Sequence, residues 1–88
     1  MKAVISVIGR DRVGILARVA TVCADLGVNI EDVSQTILSG TFAMIMLCTL
    51  PGDSSLPELE KSLAAVGHDL GLDVRVTRQD LYDEMHRI

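Results

Sequence analysis

The chain has 88 residues, 49 % of them apolar, with one Phe and one Tyr as its aromatics and a net charge of -4. That length holds one aliphatic core and no second domain core, and the composition is not that of a disordered chain. The acidic balance excludes nucleic acid as a partner, because phosphate neutralisation needs clustered Lys and Arg and base stacking needs aromatic platforms.

The run Ala3-Val4-Ile5-Ser6-Val7-Ile8, preceded by Lys2, predicts a first strand that is apolar on both faces and therefore central. It stops at Gly9-Arg10, too short for a signal core or a membrane span. From Ile15 to Leu26 the apolar residues Ile15, Val19, Val22 and Leu26 share a helical stripe, and Gly27 is placed to end the helix. Residues 28–38 predict a second strand whose apolar phase slips: Ile30 and Leu38 share a parity that Val33 and Ile37 do not. The slip predicts a bulge, and the acidic residues Glu31 and Asp32 suit an edge. Ser39-Gly40 then signals a hairpin into Phe42 to Leu50, apolar on both parities, where Met44 and Met46 are expected as packed core rather than metal ligands.

After the loop at Pro51-Gly52-Asp53-Ser54, Ser55 and Glu58 have capping-box spacing, with Pro57 in the first turn. Leu59, Leu63, Val66 and Leu70 form the stripe of a second helix that Gly71 stops, and Leu72 to Gln79 alternates as a half-exposed strand. The order strand, helix, strand, hairpin, strand, helix, strand predicts an α+β ferredoxin-like βαββαβ sandwich. Its four-stranded antiparallel sheet carries both helices on one face and has the second and fourth strands at its edges. Residues 1–80 are expected as the domain and 81–88 as an amphipathic tail with Leu81, Met85 and Ile88 on one stripe. Because the first and third strands are apolar at both parities, the face opposite the helices must also be covered. Either the tail or a second copy of the chain can do this, so a homodimer or a higher oligomer is expected.

Gly9-Arg10-Asp11-Arg12-Val13-Gly14 joins the first strand to the first helix. Such a turn aims unpaired backbone N–H groups and the positive end of the helix dipole at what lies above it, a seat for an anion, and Asp11 can cap the helix from its side chain. A capped helix start with solvated arginines satisfies the same spacing. Cys23 and Cys48 show no C-x-x-C spacing, which reads as a pair of buried reduced thiols and a reducing, cytoplasmic compartment. His68 is placed as a solvated group at the end of the second helix. With only His86 beside it in type, no zinc site and no cofactor is expected.

Asp11-Arg12-Val13-Gly14-Ile15-Leu16 followed by Leu26-Gly27-Val28-Asn29-Ile30 resembles the signature of the ACT domain, a small-molecule-sensing module of amino-acid metabolism, and the likeness runs from about Lys2 to Gln79. The Gln35-Thr36-Ile37, Met44-Ile45-Met46 and Met85-His86-Arg87-Ile88 segments further resemble a group of stand-alone bacterial and archaeal ACT proteins. The resemblance implies dimers joined edge to edge through the second strand, with an amino acid held between the first turn of one subunit and the second strand of its neighbour. Carried over by position, Asp11 and Asn29 hold the polar head of the ligand, while Arg12, Val13, Gly14, Ile15 and Ile30 surround it. Serine-sensing members carry His and Asn where this chain has Gly9 and Asp11, so serine specificity does not transfer, and many members have Pro in place of Val13.

Two rivals share the fold class. Acylphosphatases also cradle a phosphate with an arginine and amides in the first turn and an asparagine on a strand, roles that Arg10, Arg12 and Asn29 could imitate. The glycine-rich, aromatic-containing loop of that family is missing here, and no nucleophile and base stand at suggestive spacing, so the expectation is a non-catalytic protein. The other rival is an assembly module that binds a partner protein and no small molecule.

Overall fold

In the computed structural model, which describes residues 1–85, the elements are β1 (Lys2–Arg10), α1 (Ile15–Asp25), β2 (Asn29–Leu38), β3 (Thr41–Thr49), α2 (Ser55–Leu70), β4 (Leu72–Arg78) and α3 (Gln79–Met85). The strands form one antiparallel sheet in the order β2-β3-β1-β4, the expected topology with β2 and β4 outermost. Odd residues of β1 (Ala3, Ile5, Val7) and even residues of β3 (Phe42, Met44, Met46, Cys48) point to one side. There they meet Ile15, Val19 and Cys23 of α1 and Leu59, Leu63 and Val66 of α2. All of these side chains are buried, the two methionines included. Each such aliphatic side chain contributes about 1.5–3 kcal/mol through the area it removes from water. The core is therefore one layer, between helices and sheet.

The predicted bulge lies in β2, where the pairing with β3 shifts between Ile30 and Asp32. One extra residue there explains the change of apolar parity, because a slip of one exchanges the faces of a strand. The β2–β3 hairpin turns on Ser39 and Gly40, with φ of 52° and 80°, the pair of positive values that a tight two-residue hairpin requires. Gly27 follows α1 and Gly71 caps α2, as the helical stripes predict. Three boundaries differ from the sequence reading. β1 continues through Gly9 and Arg10, because both residues find partners on β3. Ser54, not Ser55, occupies the N-cap of α2 without a side-chain hydrogen bond, so the capping box does not form. The predicted tail stripe is realised as α3 from Gln79, while Ile88 lies outside the described residues.

On the open face of the sheet, α3 packs against β1 and β4. Val4, which points away from the main core, is 2 % exposed, whereas Ile8 and Ile45 on the same face are 51 % and 43 % exposed. α3 thus covers one end of this face, and Ile8 and Ile45 lie exposed toward the other.

Candidate functional site

The turn from β1 into α1 is built around Gly14, the N-cap of α1, at φ 89° and ψ 7°. A side chain here is strained by the left-handed backbone even though a Cβ would meet no atom within 4 Å. No side chain caps the helix, so the cap expected from Asp11 is absent. The Asp11 backbone N–H instead donates to the Gly40 carbonyl at 2.8 Å, which ties the turn to the β2–β3 hairpin. On the other side the Arg12 guanidinium donates to the Leu70 carbonyl at 3.3 Å, at the C-terminus of α2, where a cation complements the helix dipole. Arg18 adds an ion pair with Asp69 at 3.3 Å. The turn is clamped between two corners of the fold.

The first intrahelical bond of α1 runs from the Arg18 N–H to the Gly14 carbonyl at 3.0 Å. The amides of Ile15, Leu16 and Ala17 precede it and have no partner within the helix, the usual condition of a first turn. No side chain caps them, so the positive end of the helix dipole is left without a compensating group from a cap. Asp11, Arg12, Val13 and Gly14 are all exposed, and the Val13 side chain, at 101 %, stands wholly in water. Ile15 is 2 % exposed and points into the core, so only its backbone faces the turn. Beside Asp11 lies a concavity of 660 Å³ lined also by Gly9, Arg10, Ser39, Gly40 and Thr41. Arg10 is a candidate only in the acylphosphatase-like alternative, and Ser39 and Thr41 are not sequence candidates at all, since only the strand register brings the hairpin beside the turn.

Asn29 and Ile30 stand elsewhere. Asn29 pairs with Thr49, level with Lys2 on β1, whereas Leu38 pairs with Thr41, level with Arg10. Eight residue steps along a strand separate the two levels, about 26 Å at strand rise. Within one protomer, Asp11 to Ile15 form one group and Asn29 with Ile30 another, at opposite ends of the sheet. Asn29 is exposed and Ile30 packs partly against the core. Next to Asn29, Glu31 accepts a hydrogen bond from the Thr49 hydroxyl at 2.6 Å and pairs with Lys2 at 3.3 Å. Both interactions, that with Thr49 foremost, hold its carboxyl below the ordinary carboxylate range and pin the bulge.

Cys23 and Cys48 are free, buried and hydrogen-bonded to each other. That bond and burial push the Cys48 thiol far above the usual thiol range, which keeps it a neutral packing group rather than a nucleophile. Among the described residues, no group of three or more His, Cys, Asp or Glu could hold a metal ion. No helix among them is long and apolar enough to cross a membrane.

Comparison with known proteins places this geometry in a family. The sequence profile of the ACT domain matches residues 2–77. A UPF0237 protein of Methanopyrus kandleri is 47 % identical over 88 residues, spanning 99 % of this chain and 98 % of the relative. One from Listeria monocytogenes is 40 % identical over 89 residues and spans both chains completely. Among solved structures, an ACT domain protein from Streptococcus pneumoniae superposes with a TM-score of 0.81 at 32 % identity, covering 94 % of each chain. The chain therefore belongs to the ACT domain family of regulatory, ligand-binding modules.

Proposed function

We propose that this protein is a non-catalytic cytoplasmic sensor, a homodimer joined along β2 that binds an amino acid between the α1 turn of one subunit and the start of β2 in the other. The observation that carries the reading is the state of the β2 edge. Val33 and Ile37 point to the helix side of the sheet, yet α1 leaves them 38 % and 56 % exposed. An apolar strip along an unpaired strand edge is a surface that a second strand would cover. Antiparallel pairing of two β2 strands sets Asn29 of one subunit beside the partner's Leu38, the end at which the partner's Asp11 and Gly14 stand. The separation of about 26 Å within a protomer is thereby removed across the dimer.

The chemistry of the two groups supports a zwitterion. The uncapped amides of α1 suit an α-carboxylate, and the Asp11 carboxylate and the Asn29 side-chain carbonyl suit its ammonium group. Binding would order the junction of two subunits, a change that a partner protein could read. A thermal-shift screen against the amino acids tests the reading. A ligand at a hundredfold excess over its Kd adds about 2.7 kcal/mol, and each kcal/mol moves the midpoint of a domain this size by roughly 4–8 °C. A shift with one amino acid that disappears in Gly14→Val supports the site, and no shift with any of them overturns it. The assembly module without a ligand is the second reading. It is favoured by the engagement of Arg12 with Leu70, which turns one of the candidate contacts away from the turn.

A further inference from the structure

The chain is acidic overall, yet residues 9–22 carry three arginines, Arg10, Arg12 and Arg18, against the single aspartate Asp11. The fold engages two of these cations: Arg12 reaches the Leu70 carbonyl and Arg18 pairs with Asp69. Arg10 is exposed, and among the described residues no hydrogen bond or ion pair engages its guanidinium. It lines the 660 Å³ concavity together with Asp11, Ser39 and Thr41, so one hollow presents a cation, an anion and two hydroxyl side chains. Arg10 also belongs to the side of the turn that meets the β2 contact. It pairs with Thr41 on β3, and Thr41 pairs with Leu38, the residue that the proposed strand pairing sets beside Asn29 of the partner subunit.

A charge balance at this turn, which rests on the amino-acid reading above, narrows the class of amino acid. A zwitterion engages the uncapped amides of α1 with its α-carboxylate and the Asp11 carboxylate with its ammonium group. Arg10 is then the charge left over. A neutral side chain leaves its guanidinium facing the ligand without a counter-charge, and a lysine or arginine side chain sets two like charges together in one small hollow. A side-chain carboxylate supplies the missing partner, because a guanidinium holds a carboxylate through two parallel N–H donors. We propose that the ligand is an acidic amino acid, L-aspartate or L-glutamate, and that Arg10 is the specificity-determining residue that binds its side-chain carboxylate.

The two neighbouring residues then divide the recognition. Asp11 demands an amine, so a dicarboxylate without one meets like charge there and binds less well. Arg10 demands a second carboxylate, so the amides L-asparagine and L-glutamine, equal in shape to the acids, lose the charge-assisted pair. Arg12 cannot stand in for Arg10, because its guanidinium is held at the C-terminus of α2.

Isothermal titration calorimetry on the full chain tests this with L-aspartate, L-glutamate, L-asparagine, L-glutamine, L-lysine, succinate and inorganic phosphate as probes. One of the acidic amino acids is expected to bind at least about tenfold more tightly than its amide, the scale of one hydrogen-bonded charge pair, and more tightly than succinate. Arg10→Gln is expected to bring the ratio of acid to amide close to one, Arg10→Lys to keep part of it, and Arg10→Glu to turn the preference toward L-lysine, each variant being folded by circular dichroism. A wild-type ratio near one, or a ratio that survives Arg10→Gln, overturns the inference. Inorganic phosphate bound as tightly as the acidic amino acids, and equally lost in Arg10→Gln, overturns it too, because Arg10 is then a general anion site. Binding of a neutral amino acid that Gly14→Val abolishes, with no gain for the acidic ones, overturns this inference alone and leaves the amino-acid reading in place. Absence of binding by every amino acid overturns both.

Discussion

The two edges of the sheet are opposite in character. β4 is guarded: α2 packs against its inner side, Asp73 and Arg75 pair with each other, and Arg78 pairs with Asp80. Gly67 of α2 comes so close that a Cβ would stand 2.9 Å from the Leu72 carbonyl oxygen and 3.1 Å from Val74. β2 is covered only thinly by α1, and every one of its residues except Ile30 is exposed, with Val33, Ile37 and Leu38 apolar. Charge and close packing are how a fold blunts an edge it does not use. β2 carries charge only at Glu31 and Asp32 and exposes Val33, Ile37 and Leu38 beyond them, which is the edge a second strand could complete.

This contrast can be broken or sharpened by experiment. The largest effect is expected from Ile37→Asp, which should raise the dissociation constant of the β2-joined pair about a hundredfold, the scale of a hot-spot loss, while the midpoint of unfolding measured on the monomer stays close to wild type. A change of stability without a change of association would reverse the roles assigned to the edges. Gly67→Ala should show the converse. Its clash with the β4 backbone is expected to cost about 1–3 kcal/mol in urea unfolding, as overpacking does, and to leave association of the folded protein unchanged.

A smaller loss is expected at the turn. Gly14→Val forces a β-branched residue into a left-handed conformation, about 1–2 kcal/mol, and removes ligand binding. Retention of affinity in that variant would separate the turn from the site. Smallest is the pH dependence of the bulge. The carboxyl of Glu31 lies below its unfolded value, so its contribution is full above the unfolded carboxylate pKa and is lost as pH falls through the folded one. Glu31→Gln should flatten that part of the acid limb in a stability profile, and an unchanged limb would mean that Lys2 and Thr49 do not hold the bulge.

Much of this was legible without coordinates because local periodicity reports which side of an element is buried. The slip between Ile30 and Val33 announced the bulge, the double-sided apolarity of β1 and β3 announced the centre of the sheet, and Gly71 announced the end of α2. The errors are also local. Asp11 and Ser55 have the right spacing for caps, but Asp11 lends its backbone to Gly40 and Ser55 begins the helix instead of preceding it. Capping depends on side-chain direction, which spacing leaves open. The candidate site was half legible. The chain order places Asp11 and Gly14 together, yet the distance from that turn to Asn29 follows from strand pairing and not from sequence separation.

Composition and pattern by themselves determined a single aliphatic core, the βαββαβ order, the edge strands and the family, because burial on one face imposes a period that the chain carries in plain view. Which contacts clamp the turn, that Arg12 reaches the end of α2, how far α3 extends over the open face and where apolar surface is left over were decided only by tertiary structure. Those features depend on distances between residues remote in sequence, and no local period encodes them.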